Sequence, residues 1–143
     1  MPPVLVKHLM SKPVVSLFAE QSLPLAGDIM TFKHLRHLPV IDDGGHLIGL
    51  VSHRDLLGAQ ISTLTGLTDA DRRATEDRIC VREIMTTELW TVEPDALASV
   101  AGRTMLDHQY GCLPVVDDHR VLVGIVTESD FLSFAVKTLE RRD

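Results

Sequence analysis

The chain has 143 residues, 45% of them hydrophobic and 24% charged, a balance typical of a folded globular protein. The formal net charge of −6 excludes a general attraction for nucleic acid, and no run of about 18 apolar residues is available to span a membrane. The first residues lack the pattern of a secretory signal, and Cys80 and Cys112 resemble free thiols of a reducing compartment, so we expect a cytoplasmic protein.

The first half of the chain predicts a short amphipathic lead-in, a strand and a helix. The lead-in covers Val4–Met10, and the apolar stretch Val14–Leu17 follows as a strand. Ser22 is placed to cap a helix over Ser22–His34, since Pro24 is tolerated in a first helical turn.

A hairpin and a second helix follow. Strands at His37–Ile41 and Leu47–Ser52 flank Asp42-Asp43-Gly44-Gly45, acidic turn residues followed by glycine. The next helix begins at His53–Leu57 and extends toward Leu64. The polar segment Thr65–Arg78 is interpreted as a helical or loose connector.

The second half predicts the same elements again. A lead-in at Val81–Met85 and a strand at Leu89–Val92 precede a helix over Leu97–Gln109, for which Asp95 is the expected cap. Strands follow at Cys112–Val116 and Val121–Thr127, and a helix begins at Glu128–Leu132. Their turn lacks glycine, so its geometry is expected to differ from that of the first hairpin.

These elements are the two copies of an internal repeat. Val6–Leu57 aligns without a gap on Val81–Leu132 at an offset of 75 positions. A copy of about 50 residues is too small to bury a stable core alone, so we expect the two to pack together about a pseudo-twofold axis. The predicted organisation is a first repeat at 1–64, a connector at 65–80, and a second repeat with a C-terminal helix at 81–143. The predicted fold class is α/β (α+β), with two β-α-β-β-α repeats packed sheet to sheet.

Each copy contains Gly-aliphatic-Val-Ser/Thr-x-x-Asp where a strand becomes a helix. The copies of this motif are Gly49–Asp55 and Gly124–Asp130. One interpretation is purely structural, since the hydroxyl and the carboxylate can form a capping box. The other is a binding site, because a carboxylate can accept hydrogen bonds from both hydroxyls of a ribose. The local sequence leaves both open.

Together with Leu38–Asp43 and Leu113–Asp118, these motifs resemble a tandem pair of cystathionine-β-synthase-type (CBS) domains, called a Bateman module. The resemblance extends from about Val4 to Leu132. It implies a non-catalytic regulatory module that needs no cofactor and binds AMP, ADP, ATP or S-adenosylmethionine in clefts between the repeats. It also implies energy or metabolite sensing, a homodimer forming a disc of four repeats, and a regulated partner protein whose identity is unknown.

The resemblance assigns roles to individual positions. Asp55 and Asp130 match the ribose-binding aspartate, and Ser52 and Thr127 match the hydroxyl beside it. The remaining implied ligand-binding residues are Arg54, Ser129, Arg36 and His37 near the phosphates, Leu50 and Ile125 along the adenine, and, as a weaker transfer, Ser16 and Thr91 near the base.

The two motifs differ in charge. The positions around Asp55 are basic, whereas those around Asp130 carry no basic residue and one additional carboxylate. The matched sets are Arg36, His37, His53 and Arg54 against Gly111, Cys112, Glu128 and Ser129. One hypothesis places a phosphorylated nucleotide beside Asp55 and a neutral or cationic adenosyl ligand, or none, beside Asp130. Alternatively, each cleft takes charge from the other copy or from a dimer partner.

Other chemistries have weaker support. The histidines lack the spacing of a metal site, Cys112 has no neighbouring base, and Trp90 is interpreted as core or cleft wall, or as a stacking partner for a base. The apolar face of Phe131–Arg142 suits core packing, a dimer contact or a docking helix. Alternative functions are a small nucleotide hydrolase or transferase with Asp55 or His53 as base, and a transcription-linked module.

Overall fold

The computed structural model describes residues 2–60 and 66–142, and the chain divides into two compact units. Val15–Leu89 form one, here called the Asp55 unit, and Met1–Val14 with Trp90–Asp143 form the other, the Asp130 unit. Each lead-in therefore belongs with the core of the other copy. The repeat boundaries predicted at 1–64, 65–80 and 81–143 remain a prediction about the sequence.

The Asp55 unit contains a three-stranded sheet in the order β1-β2-β3. Its elements are β1 (Leu17–Phe18), α2 (Leu23–Lys33), β2 (His37–Ile41), β3 (Leu47–Ser52), α3 (His53–Ala59), α4 (Asp69–Glu76) and α5 (Val81–Ile84). The first two strands are parallel and the hairpin strands antiparallel. Fully buried side chains from the sheet, α2 and α5 form its core, among them Leu17, Leu38 and Val81.

The Asp130 unit contains a two-stranded antiparallel sheet. Its elements are α1 (Val6–Leu9), α6 (Ala98–His108), β4 (Cys112–Val116), β5 (Leu122–Thr127) and α7 (Glu128–Arg142). Val6 of α1 is fully buried with Leu113, Val115 and Val126 in its core. Both units combine helices with a small sheet, so the mixed α+β class is confirmed.

The first strand of each copy was predicted wrongly. In the Asp55 unit, β1 covers only Leu17–Phe18, later than the predicted Val14–Leu17. In the Asp130 unit a single parallel bridge, between Val92 and Val115, replaces the strand predicted at Leu89–Val92. Apolar content was a poor guide here because strand length depends on how much of the segment lies beside the hairpin.

Helices α2 and α6 have the predicted extents, because their capping residues are the first and last residues of the predicted ranges. Ser22 accepts a hydrogen bond from the Leu25 amide at 3.4 Å, as expected of an N-cap. The predicted cap Asp95 is wrong: the N-cap of α6 is Leu97, and the Asp95 carboxylate instead pairs with Lys7 Nζ at 2.8 Å. Both helices end in a left-handed residue, His34 at φ 55° and Gln109 at φ 57°.

The two hairpin turns have the same geometry, contrary to the prediction. Gly45 has φ 83°, and Arg120, its equivalent in the second copy, adopts φ 65°. In each turn the leading aspartate accepts two backbone hydrogen bonds, Asp42 from Gly44 and His46, and Asp117 from His119 and Val121. These bonds impose the turn on a non-glycine residue. The His46 amide in particular holds the pKa of Asp42 below its usual value.

The connector and the C-terminal segment each contain a helix. Residues 69–76 of the predicted connector form α4, capped by the hydroxyl of Thr68. The predicted extension of α3 toward Leu64 lies outside the described residues. α7 is one continuous helix with no buried residue, and its exposed apolar side chains include Leu132 and Leu139. Within the described residues no helix is both long and apolar enough to cross a bilayer.

Candidate functional site

Ser52 and Asp55 form a reciprocal cap at the junction of β3 and α3. The Ser52 amide donates to Asp55 Oδ2 at 2.9 Å, and the Asp55 amide donates to Ser52 Oγ at 3.1 Å. The capping interpretation is therefore confirmed for this pair. Within the described part of the chain no group donates to Asp55 Oδ1, so the half-buried carboxylate keeps acceptor capacity for a second function.

The equivalent cap in the Asp130 unit is more heavily engaged. Asp130 Oδ2 accepts from the Thr127 amide at 2.8 Å and from the Thr127 hydroxyl at 3.2 Å. Its Oδ1 accepts from the hydroxyl of Ser11 at 3.2 Å. Both oxygens of this carboxylate are thus used by the chain itself, unlike those of Asp55.

Ser11 and Thr86 are site residues that sequence reasoning missed. Each follows a lead-in helix and pairs with the strand that leads to the cap: the Ser11 amide donates to the Ile125 carbonyl, and the Thr86 amide to that of Leu50, both at 2.9 Å. A signal was present, because both are hydroxyl residues at the same place in the repeat, directly after a methionine. The hydrogen bond from Ser11 to Asp130 nevertheless depends on tertiary structure.

A methionine seated on a glycine holds each lead-in in place. A Cβ on Gly49 would lie 2.5 Å from Sδ of Met85, and a Cβ on Gly124 would lie 2.5 Å from Sδ of Met10. Ordinary contact distances begin at 3.4 Å. Each glycine is therefore required for close approach of the methionine, and the methionine positions the hydroxyl residue that follows it.

The basic residues predicted around Asp55 lie in the same unit as its carboxylate. The His53 amide donates to the Arg36 carbonyl at 2.7 Å, which joins the start of β2 to the start of α3. Arg36, His53 and Arg54 are exposed, and His37 is half-buried. Within the described residues no carboxylate forms an ion pair with Arg36 or Arg54.

The matching positions in the Asp130 unit have the same backbone arrangement and different chemistry. The Glu128 amide donates to the Gly111 carbonyl at 3.2 Å. Glu128 and Ser129 are exposed, and among the described residues Glu128 has no ion-pair partner. This edge of the unit therefore carries two carboxylates, those of Glu128 and Asp130, and no cation at the matched positions.

The apolar and base-side candidates lie on or directly beside the strands and bridges of each unit. Leu50 is half-buried and Ile125 is 8% exposed, each beside the lead-in residue that it bridges. Ser16 is half-buried directly before β1. Thr91 is half-buried between Trp90 and the bridging residue Val92. Each lies in the same unit as the aspartate of its own copy.

Trp90 belongs to an aromatic cluster on the surface of the Asp130 unit. Its ring stacks on His108 with centroids 4.9 Å apart, and His108 stacks on Tyr110 at 5.3 Å. Trp90 is 52% exposed, so it is not a core residue. Tyr110 directly precedes Gly111, which places the cluster at the end of β4 that adjoins the cap.

Two observations concern metal binding and thiol reactivity. Within residues 2–60 and 66–142 no group of three or more His, Cys, Asp or Glu side chains could hold a metal ion. Burial raises the pKa of the Cys112 thiol to about 12, which opposes formation of a nucleophilic thiolate. The two units thus offer carboxylate and hydroxyl groups suited to hydrogen bonding.

Comparison with known proteins identifies the family. The family model of the CBS domain matches residues 6–62 and 81–137, which together make up most of the chain. A CBS domain-containing protein of Dictyostelium discoideum is 34% identical over 137 residues, covering 96% of this chain and 94% of its own length. Several other curated relatives are enzymes, but the chain spans only 21–24% of their length.

Two solved structures are similar over nearly the whole chain. The CBS domain pair of protein MJ0100, in complex with 5′-methylthioadenosine and S-adenosyl-L-methionine, is 28% identical with a TM-score of 0.79, and the match covers 96% of this chain and 99% of that one. CBSX2 in complex with AMP is 27% identical with a TM-score of 0.78, covering 94% and 97%. With two repeats matched in both sequence and fold, this chain belongs to the CBS domain family, as a tandem pair of CBS domains.

Proposed function

We propose that this protein is a non-catalytic regulatory module that binds an adenosine-containing ligand at the Ser/Thr-x-x-Asp cap of one or both units. The observation that carries the proposal is the capping carboxylate of each unit with the hydroxyl beside it: Asp55 with Ser52, and Asp130 with Thr127. A carboxylate with such neighbours can accept from the two hydroxyls of a ribose.

The relatives support this choice of ligand. The two similar structures are complexes, one with AMP and one with 5′-methylthioadenosine and S-adenosyl-L-methionine, and these compounds share an adenosine moiety. The remaining ligand contacts that we propose are Arg36, His37 and Arg54 for phosphate, Ser129 at the matching position, Leu50 and Ile125 for the base, and Ser16 and Thr91 beside it. Binding would then shift the module between conformations that a partner protein distinguishes.

Calorimetric titration with AMP, ATP and S-adenosylmethionine tests the proposal. Asp55→Asn and Asp130→Asn are the informative variants, because an amide oxygen still accepts the capping hydrogen bond but loses the charge that holds a diol. We expect at least one of them to weaken binding about tenfold or more. Asp43→Asn, on the exposed turn of the Asp55 unit, is the matched control and leaves the affinity unchanged.

Two outcomes would contradict the proposal. Binding of none of the three compounds at millimolar concentration would remove the ligand class. Turnover of a bound nucleotide, measured by phosphate release at high protein concentration, would replace the regulatory module with a nucleotide hydrolase or transferase. The homodimer implied by the resemblance remains a prediction, for which sedimentation equilibrium gives the answer directly.

A further inference from the structure

The two units present opposite charges at matched positions. Residues 36, 53 and 54 of the Asp55 unit are arginine, histidine and arginine, whereas residues 111, 128 and 129 of the Asp130 unit are glycine, glutamate and serine. The backbones agree, since in both units the amide of the first residue of the helix donates to the carbonyl two residues before the Leu-Pro-Val strand segment. The difference therefore lies in side-chain chemistry rather than in the fold.

The cations of the Asp55 unit are available to a ligand. Arg36 and Arg54 are exposed and have no ion-pair partner among the described residues, although other surface cations do, such as Lys7 with Asp95 and Arg82 with Glu20. A phosphate that contacts either guanidinium gains charge-assisted hydrogen bonds that no carboxylate of the described residues already occupies.

The Asp130 unit has the opposite character. Glu128 and Asp130 would repel a phosphate, because like charges brought together cost affinity. Asp130 Oδ1 already accepts from Ser11, so an incoming ligand must also displace that hydroxyl. The half-exposed aromatic cluster of Trp90, His108 and Tyr110 lies at the same end of β4. A carboxylate pair beside exposed aromatic rings suits a cation or an uncharged group attached to a flat base.

We infer that the two units select adenosyl ligands of opposite charge: the Asp55 unit takes a phosphorylated adenine nucleotide, and the Asp130 unit takes an adenosyl compound that is neutral or positively charged and rejects phosphate. The inference rests on the proposed function and adds to it a separate ligand class for each unit. The protein would then respond to two metabolite signals at once.

Exchange of the charged residues between the units tests the inference. The variant His53→Glu/Arg54→Ser gives the Asp55 unit the residues of its counterpart, and Glu128→His/Ser129→Arg does the reverse. All four positions are exposed, so folding should survive, and thermal unfolding checks this. AMP and S-adenosylmethionine are titrated calorimetrically into the wild-type chain and both variants, with Asp43→Asn as the control.

For the wild type we expect one AMP site that Asp55→Asn weakens and one S-adenosylmethionine site that Asp130→Asn weakens. His53→Glu/Arg54→Ser should reduce AMP affinity at least tenfold without affecting S-adenosylmethionine. Glu128→His/Ser129→Arg should create a second AMP site. The affinity for AMP should fall as salt is raised, because exposed charges are screened.

The inference is overturned if AMP binding is lost in Asp130→Asn, if the exchange at residues 53 and 54 leaves AMP affinity unchanged, or if each compound binds both units equally. In these three cases adenosyl binding itself stands, so the proposed function survives. Failure of the wild type to bind either compound overturns both.

Discussion

Replacement of Gly49 by alanine tests whether the methionine seat holds the lead-in segment against the sheet. The added Cβ would lie 2.5 Å from Sδ, 2.9 Å from Cγ and 3.2 Å from Cβ of Met85. The shortest of these is about 1 Å below ordinary contact, and the Cβ of Met85 cannot move without the backbone. Met85 must therefore change rotamer and leave its seat.

The expected loss of stability is the difference of two terms. Overpacking of this kind costs about 1–3 kcal/mol. The lower entropy of alanine in the unfolded chain returns about 0.4–1 kcal/mol. We expect Gly49→Ala to lower the free energy of unfolding by about 1–2 kcal/mol, measured by urea denaturation followed by circular dichroism. Since the lead-in segment is bridged to Leu50 through Thr86, and Leu50 is a proposed ligand contact, affinity for the ligand of the Asp55 unit should fall in parallel.

The chain provides two controls for this experiment. A Cβ added at Gly58 in α3 would meet no atom of the described residues within 4 Å, so Gly58→Ala should be neutral or stabilising by up to about 1 kcal/mol. In the double variant Gly49→Ala/Met85→Ala the clash is absent. The losses of stability in the two single variants, Gly49→Ala and Met85→Ala, should therefore sum to about 1–2 kcal/mol more than the loss measured for the double variant. Equal effects of Gly49→Ala and Gly58→Ala, or strict additivity in the double variant, would refute the reasoning.

Four further predictions concern the Cys112 thiol, the Ser11 hydroxyl and the first hairpin turn. Burial raises the pKa of Cys112 from an ordinary 9.0 to about 12, so in the native protein only Cys80 should react with a thiol reagent at pH 8. Both thiols should react after unfolding. Rapid reaction of both thiols in the native protein would contradict this prediction. Because the pKa of Cys112 is higher in the folded than in the unfolded chain, its contribution to stability is fully present below pH 9. That contribution should be lost between pH 9 and 12, since the unfolded chain loses the thiol proton first. Urea denaturation of the wild type and Cys112→Ala across this pH range measures the loss. Because the Ser11 hydroxyl occupies Asp130 Oδ1, Ser11→Ala should tighten S-adenosylmethionine binding about threefold in calorimetry. Thr86→Ala is the control, and weaker binding in Ser11→Ala would show that Ser11 is itself a ligand contact. Gly45→Ala should lower the free energy of unfolding by about 1 kcal/mol, because it places a side chain at a positive φ. Arg120→Gly should not lower the free energy of unfolding. Equal losses for the two variants in thermal melts would count against a shared turn geometry.

The sequence alone determined those features that depend on local chemistry. The hairpin strands were predicted almost to the residue, because two short apolar runs on either side of an acidic turn specify an antiparallel pair. Ser52 and Asp55 were correctly predicted as a capping box, since its two hydrogen bonds connect residues only three positions apart. The internal repeat and its two motifs were sufficient to indicate the family. The charge difference between residues 53 and 54 and residues 128 and 129 is visible in the sequence itself.

Tertiary structure decided whatever joins residues far apart in the chain. Ser11 lies 119 positions from Asp130, and local patterns carry no information about a hydrogen bond over such a separation. In the same way, Val6 is buried with the core of the second copy and Val81 with that of the first, because each lead-in packs beside a strand of the other copy. Arg120 takes a positive φ because the Asp117 carboxylate binds the turn on both sides. At Ser11 and in the two lead-ins, packing and hydrogen bonds from distant residues outweigh the local preference of the chain, and at Arg120 the hydrogen bonds of a nearby carboxylate do so.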